Sequence, residues 1–321
     1  MINIKNIFDA SNVLNGVTKE TPILYSKKLN ELVNGNIYLK AENKQYSGSF
    51  KLRGAYYCMH QILKNHNYLD VVACSSGNHA QGVALAASMF GLKATIIMPK
   101  DAPELKIKKT QDLGANIIFY DRYNESRELI AEDYSYKKGA FIIPPYDDYH
   151  VMAGQGTVVL EAIKQLSLID AKIDNFICPV GGGGLIAGST IAFSKYLNEV
   201  DIFGVEPELL NDTQQSLNLG KRIKIDINQS SLCDSLMAPI PGKLTFSINQ
   251  QALKQIFIVS DDEVIEAVRF AQDEWNIIIE PSGAVALALI LSSRFITSKK
   301  NTLIILSGGN IDPLEHQNLI K

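Results

Sequence analysis

Phe176-Ile177-Cys178-Pro179-Val180-Gly181-Gly182-Gly183-Gly184 runs an apolar, strand-like segment straight into four glycines, and the helical stretch Leu185 to Leu197 follows at once. A strand that ends in glycine and hands over to a helix is the elementary step of an α/β fold. The same alternation of short β-branched runs with amphipathic stretches extends in both directions. Strands are expected at Asn36–Glu42, Asp70–Cys74, Ala94–Met98, Asn116–Tyr120, Asn175–Val180, Asp201–Val205, Ile256–Val259 and Thr302–Leu306, with helices filling most gaps. The best-marked helix starts at Ser260, where Ser260-x-x-Glu263 makes a capping box and Val264, Val268, Ala271 and Trp275 share one face.

A chain of 321 residues, 46% hydrophobic and 20% charged, is long enough for roughly two domains, each with its own core. No repeat, low-complexity tract or flexible linker separates them, so the domains are expected to be interwoven and not strung in series. A formal net charge of -3 with scattered lysines leaves no basic footprint and argues against nucleic acid. The longest apolar run, Ala284 to Leu291, is too short to span a bilayer and reads as a buried helix. The N-terminus is amphipathic without the apolar centre of a signal peptide, so a cytoplasmic protein is expected. Cys58, Cys74, Cys178 and Cys233 form no C-x-x-C pair, and the five histidines show no paired-ligand spacing, which leaves zinc unsupported.

Open α/β sheets bind ligands where strands end, and three strand ends carry chemistry. Four consecutive glycines after Val180 give up chain entropy at every position, which suits backbone closely approaching a phosphate. Gly183 to Gly188 is followed by Ser189-Thr190 without the lysine of a nucleotide loop, and Ile186 stands where a dinucleotide fingerprint needs its last glycine. Ser75-Ser76-Gly77-Asn78-His79, between a strand and a helix, offers hydroxyls and backbone N–H groups to an anion, although Ser76 or Asn78 also suits a plain N-cap. Ser307-Gly308-Gly309-Asn310 closes the last strand and places a serine where it can meet a ring nitrogen; alone it also reads as a turn. Elsewhere, Ser47-Gly48-Ser49-Phe50-Lys51-Leu52-Arg53-Gly54 sets Lys51 beside an aromatic ring, small residues and a second cation, Arg53, a setting in which a lysine can lose its proton and form a Schiff base, although taken alone it also reads as a solvated surface lysine. A Schiff-base lysine, a phosphate cradle and a serine for a ring nitrogen are together what pyridoxal phosphate requires.

The motifs S-F-K-x-R-G, S-S-G-N-H, A-G-Q-G-T (Ala153 to Thr157), G-G-G-G and S-G-G-N resemble, in kind and order, those of pyridoxal-phosphate enzymes of the tryptophan-synthase-β-like fold, fold type II, and are most similar to the threonine/serine dehydratase and serine racemase group. The likeness runs from Thr21-Pro22 to Asn310. It implies an α/β architecture of two interwoven domains, each an open, twisted, mostly parallel sheet flanked by helices, with the cofactor in the cleft between them. Residues 1–66 and 149–321 would form the large cofactor-binding domain and residues 67–148 a small mobile one. Matched position by position, Lys51 is the lysine that binds the cofactor aldehyde and takes the α-proton. Phe50 stacks near the ring, Asn78 bonds the phenolic oxygen, Gly181, Gly182, Gly183 and Gly184 hold the phosphate, and Ser307 meets the pyridine nitrogen. Ser76 stands on the opposite cofactor face, with Ser75, Gly77 and His79 beside the substrate carboxylate. Glu206, the carbonyl of Leu210 and Asp212 match a divalent-cation site for Mg²⁺ or Ca²⁺.

Two segments depart from the wider pattern. Pro144-Pro145-Tyr146-Asp147-Asp148 is the dehydratase-like version, and Cys233-Asp234-Ser235 replaces a more usual Ala-Asp-Gly on the substrate side. The chain ends soon after Asn310, which implies no regulatory extension and no feedback control. A serine at the ring nitrogen makes the ring a weaker electron sink than an aspartate would, which favours prompt loss of a β-leaving group. The expected reaction is therefore dehydration of L-threonine or L-serine to a 2-oxo acid and ammonia. Serine racemisation and 3-hydroxyaspartate dehydration share every motif and stay open, as does a non-catalytic cofactor-binding protein. A homodimer or homotetramer acting on a small amino acid, away from membranes and nucleic acid, completes the expectation.

Overall fold

In the computed structural model, which describes residues 2–194, 199–226, 231–297 and 299–321, the strands gather into two sheets. They are β1 (Ile23–Tyr25), β2 (Asn36–Ala41), β3 (Asp70–Cys74), β4 (Lys93–Pro99), β5 (Asn116–Tyr120), β6 (Phe141–Ile142), β7 (Asn175–Pro179), β8 (Asp201–Pro207), β9 (Gln255–Val259) and β10 (Asn301–Leu306). The larger sheet has the order β1-β2-β10-β7-β8-β9 and is parallel throughout, except that β1 runs antiparallel to β2. The smaller, β5-β4-β3-β6, is wholly parallel. Each strand expected from the sequence forms, with ends shifted by a residue or two. The small sheet takes its strands from one uninterrupted stretch, and those of the large sheet lie before and after it.

Parallel strands covered on both faces need apolar residues at consecutive positions, and every residue of β7 is buried. One face of the large sheet packs against helices Ile4–Leu14, Tyr149–Ser167 and Gly184–Ala192 through Ile7, Met152, Val159, Phe176, Ile186 and Leu303. Helices Asp261–Trp275 and Pro281–Leu291 cover the other face. Pro281–Leu291 is apolar all round and accordingly buried, and the Ser260/Glu263 capping box is formed. The small sheet carries Lys51–Leu63 and Asn78–Phe90 on one side and Arg127–Lys138 on the other. The helix expected over Leu185 to Leu197 is seen as Gly184–Ala192, and the last part of that expectation, residues 195–198, lies outside the described residues.

The A-G-Q-G-T motif finds its reason in packing. A Cβ on Gly154 would come within 2.5 Å of the Arg53 carbonyl oxygen, and one on Gly156 within 2.5 Å of the Gly188 carbonyl oxygen. Glycine therefore lets helices Lys51–Leu63, Tyr149–Ser167 and Gly184–Ala192 cross backbone against backbone. Between the glycines, Gln155 accepts from the Gly54 N–H at 3.2 Å, close to the start of the helix that carries Lys51.

Candidate active site

The carboxyl ends of β7 and β10 lie side by side, and the loops that leave them form facing walls of one pocket. After β7 the chain turns through the four glycines. Gly183 adopts φ +88°, a left-handed conformation costly for other residues, and a Cβ there would stand 2.8 Å from Asn249 Nδ2. A Cβ on Gly182 would run into the Tyr146 ring. The loop thus leaves bare backbone at the N-terminus of helix Gly184–Ala192, an arrangement suited to an anion.

After β10, the Ser307 carbonyl accepts the Phe50 N–H at 3.2 Å, and Ser49 bridges Gly308. This pairing delivers Lys51, the first residue of its helix, to the pocket. Its Nζ donates to the Pro145 carbonyl at 2.7 Å and sits 5.3 Å from the Phe50 ring centroid. Burial brings the Lys51 ammonium down from 10.5 to about 8. Arg53 does not act as the second cation expected to help. It turns away, donating from Nε and Nη2 to the buried Glu42 carboxylate at 2.8 Å each and from Nη1 to Glu161 at 3.1 Å. Lys40 joins the same network through Glu161 at 2.6 Å. Desolvation, not like-charge repulsion, is what loosens the proton on Lys51.

The turn Ser75–His79 supplies one pocket-lining side chain, Asn78. Ser75 Oγ accepts the Gly77 N–H at 3.1 Å, while Ser76 is half-buried and its hydroxyl makes no hydrogen bond among the described residues. His79 is buried and points elsewhere: its ring Nε2 donates to the Ile143 carbonyl at 3.0 Å, tying helix Asn78–Phe90 to the chain after β6. Burial first, and then the Lys51 charge, push His79 down to about 3, so its imidazole stays neutral.

The two segments marked in the sequence as departures, residues 144–148 and 233–235, do reach the site, in roles their residues alone do not reveal, and Glu280 is not singled out by the sequence at all. Asp147 accepts backbone N–H groups of Lys243, Leu244 and Thr245, capping helix Lys243–Ala252, while Asp148 caps helix Tyr149–Ser167 through the N–H groups of His150 and Val151. Two adjacent aspartates, each holding a different helix, fix the Pro145 carbonyl on Lys51 and the Tyr146 ring on the glycine loop. The Ser235 hydroxyl reaches the pocket, 3.5 Å from Asn78 Nδ2. Glu280, buried behind Asn78, accepts from its Nδ2 at 2.5 Å; burial raises its carboxyl to about 7. A glutamate before Pro281 reads in sequence as no more than a helix start.

These residues fit pyridoxal phosphate on their own terms. A lysine whose amine is freed by burial faces a glycine loop too crowded for any side chain, with a buried serine across the pocket. No carboxylate among the described residues lines that pocket.

The second predicted set spans the end of β8, which carries Glu206, and the turn beyond it. Glu206 and Asp212 are both fully buried, and the Leu210 N–H donates to Pro207 O at 3.0 Å, turning the chain between them. Glu206 accepts the N–H groups of Thr213 and Gln214 at 3.0 and 2.8 Å. Neither oxygen of Asp212 receives a donor. Burial raises both carboxyls, Asp212 to about 7, and the neighbouring Asp212 charge raises Glu206 further. Two buried carboxylates, one of them without a donor on either oxygen, form a donor set that suits a hard cation. Among the described residues, no group of three or more histidine, cysteine or carboxylate side chains gathers for a metal. No described helix is long and apolar enough to cross a membrane.

The likeness to known proteins covers almost the whole chain. L-threonine ammonia-lyase of Thermotoga maritima is 39% identical over 316 residues, covering 97% of this chain and 76% of that protein. L-threo-3-hydroxyaspartate ammonia-lyase of Saccharomyces cerevisiae is 38% identical over 315 residues, 98% of this chain and 95% of the other. The solved structure of maize serine racemase superposes with a TM-score of 0.92 at 31% identity, covering 99% of this chain and 96% of that one. Residues 14–308, which contain Lys51, the glycine loop and Ser307, match the family profile described as pyridoxal-phosphate dependent enzyme, and to that family the chain belongs.

Proposed function

We propose that this protein is a pyridoxal-phosphate-dependent dehydratase that eliminates water from L-threonine or L-serine and releases a 2-oxo acid and ammonia. The observation that carries the reading is a pocket with a deprotonatable Lys51 on one wall, Ser307 on another, and no described carboxylate between them. Bound pyridoxal phosphate supplies an aldehyde for amines and a ring that takes up electrons released at the substrate Cα. Gly181 to Gly184 would hold its phosphate, Asn78 its phenolic oxygen and Ser307 its ring nitrogen, with Phe50 beside the ring and Lys51 as the attachment point. The N-terminus of helix Asn78–Phe90, at Ser75 to His79, receives the substrate carboxylate. Neutral Lys51 takes the α-proton, and the Pro145 carbonyl holds the amine in place for that transfer. A hydroxyl facing the ring nitrogen, in place of a carboxylate, limits how long charge persists at Cα, so prompt departure of the β-hydroxyl is favoured.

Serine racemisation is the second reading, supported by the unbonded, half-buried Ser76 hydroxyl, which is available to return a proton from the other side. The proposal extends to a small mobile domain over residues 67–148, a structural Mg²⁺ or Ca²⁺ at Glu206, Leu210 and Asp212, a homodimer or homotetramer, and a cytoplasmic location. The test is to load the purified protein with pyridoxal phosphate, supply L-threonine, L-serine and threo-3-hydroxyaspartate in turn, and measure oxo acid and D-amino acid together. Oxo acid from threonine or serine is expected. D-serine in excess of pyruvate supports the racemase, turnover of hydroxyaspartate alone supports that dehydratase, and no product from any of them refutes an enzyme of this class.

A further inference from the structure

Asn78 is held by two side chains outside the pocket wall. Asn310 Nδ2 donates to the Ser47 carbonyl at 2.8 Å and to Asn78 Oδ1 at 2.7 Å. On its other side Asn78 Nδ2 donates to Glu280 Oε1 at 2.5 Å. A backbone carbonyl only accepts, so Ser47 dictates that Asn310 presents its NH₂ group there. Asn310 then has only a donor to offer Asn78, which must answer with its carbonyl oxygen. The Asn78 NH₂ is thereby turned toward Glu280, whose carboxylate takes one of its two hydrogens. The polarity of the Asn78 amide is set by a main-chain atom through one side chain, Asn310.

Room for both holders comes from motif glycines. A Cβ on Gly48 would collide with the Asn310 carboxamide, and one on Gly308 would collide with the Glu280 carboxylate and stand 3.0 Å from Asn78 Nδ2. Neither glycine lines the pocket. The two loops are themselves joined, since Gly309 N–H donates to Gly48 O at 2.9 Å.

We infer that Asn310 and Glu280 are positioning residues that lock Asn78 with an N–H, never its oxygen, facing the pocket, and so select an anionic oxygen as the ligand atom at that point. The inference rests on the proposed cofactor, in which that atom is the phenolic oxygen of pyridoxal phosphate. A fixed donor there favours the ionised oxygen, and with it the longer-wavelength absorbance of the lysine-bound cofactor.

The experiment is equilibrium binding of pyridoxal phosphate, with visible and near-ultraviolet spectra, to the wild type and to Asn310→Asp, Asn310→Ala, Glu280→Leu and Glu280→Gln, each checked for folding by circular dichroism. Asn310→Asp, which offers only acceptors, and Glu280→Leu, which offers none, should weaken binding roughly tenfold or more. Both should also move absorbance to the shorter-wavelength band. Asn310→Ala carries the test if the added charge prevents folding, and should shift the spectrum the same way. Glu280→Gln keeps an acceptor oxygen for Asn78 and should stay close to wild type in both readouts. Wild-type spectra and affinity in Asn310→Ala and Glu280→Leu, or a Glu280→Gln protein as impaired as Glu280→Leu, would overturn the inference. Failure of the wild type itself to bind the cofactor at Lys51 would instead refute the reading on which it rests.

Discussion

Replacing Lys51 by methionine should make the cofactor-free protein more stable while ending its chemistry. Burial lowers the Lys51 ammonium from 10.5 to about 8, so the folded state holds that charge less well than the unfolded chain does. At about 1.4 kcal/mol per pH unit, the penalty is at most about 3.5 kcal/mol, and less where the cleft admits water. Because the folded value is the lower one, the penalty is fully present below about pH 8 and disappears as pH rises through the unfolded value of 10.5. Methionine is close in length and carries no charge. Its main loss is the hydrogen bond to the Pro145 carbonyl, worth about 1 kcal/mol, beside the contact of the charge with the Phe50 ring. The net expectation is a gain of about 2 kcal/mol near neutrality, which for a chain of this size raises the urea midpoint by roughly 0.5 M. Urea titrations of cofactor-free wild type and Lys51→Met, at neutral pH and again near pH 10.5, measure it. A variant no more stable than wild type at neutral pH, or one whose advantage persists undiminished in alkali, refutes the reasoning that burial frees this amine.

If the Ser76 hydroxyl serves the second proton transfer alone, as the racemase reading proposes, Ser76→Ala should abolish racemisation of serine and leave measurable elimination; equal loss of both would show that it holds substrate or cofactor instead. Chelation with EDTA should lower the melting temperature and activity, with Mg²⁺ or Ca²⁺ restoring both, and Glu206→Ala should remove that response. An unchanged cation-dependent melting in Glu206→Ala would dismiss the site. Glu280 is raised by burial to about 7, so its contribution to stability is present in acid and is lost as pH climbs from the unfolded carboxyl range through about 7. Cofactor-free Glu280→Gln should therefore lose less stability than wild type between about pH 5 and pH 8, by up to about 3 kcal/mol, and parallel curves would contradict it.

The elements legible in the sequence are those whose own residues determine them. β3 and β5 carry enough β-branched and apolar positions to mark themselves, and the Ser260/Glu263 box is a local contact. β1 and β6 escape because three and two residues show no period, and each is a strand only by virtue of a partner, β2 for β1 and, far back in the chain, β3 for β6. The site divides along the same line. Lys51, Asn78, the glycines and Ser307 sit in compact motifs, whereas Glu280 meets Asn78 across 202 positions. Arg53 misleads for a related reason: proximity in sequence to Lys51 says nothing about Glu42 and Glu161, which claim its guanidinium in three dimensions.

The order of strands in the large sheet has a bearing on how the molecule is made. β2 finds no parallel partner until β10, since Asn36 pairs opposite Asn301. The small sheet, by contrast, is complete once residue 142 has emerged, with every one of its pairings drawn from β3 to β6. During translation, the first sheet can therefore close on the ribosome while Lys51 still waits for the wall that Ser307 and Asn310 will bring. The ligand cleft cannot be complete before β10 has been made, so a nascent chain stalled short of β10 would have no finished place for its cofactor.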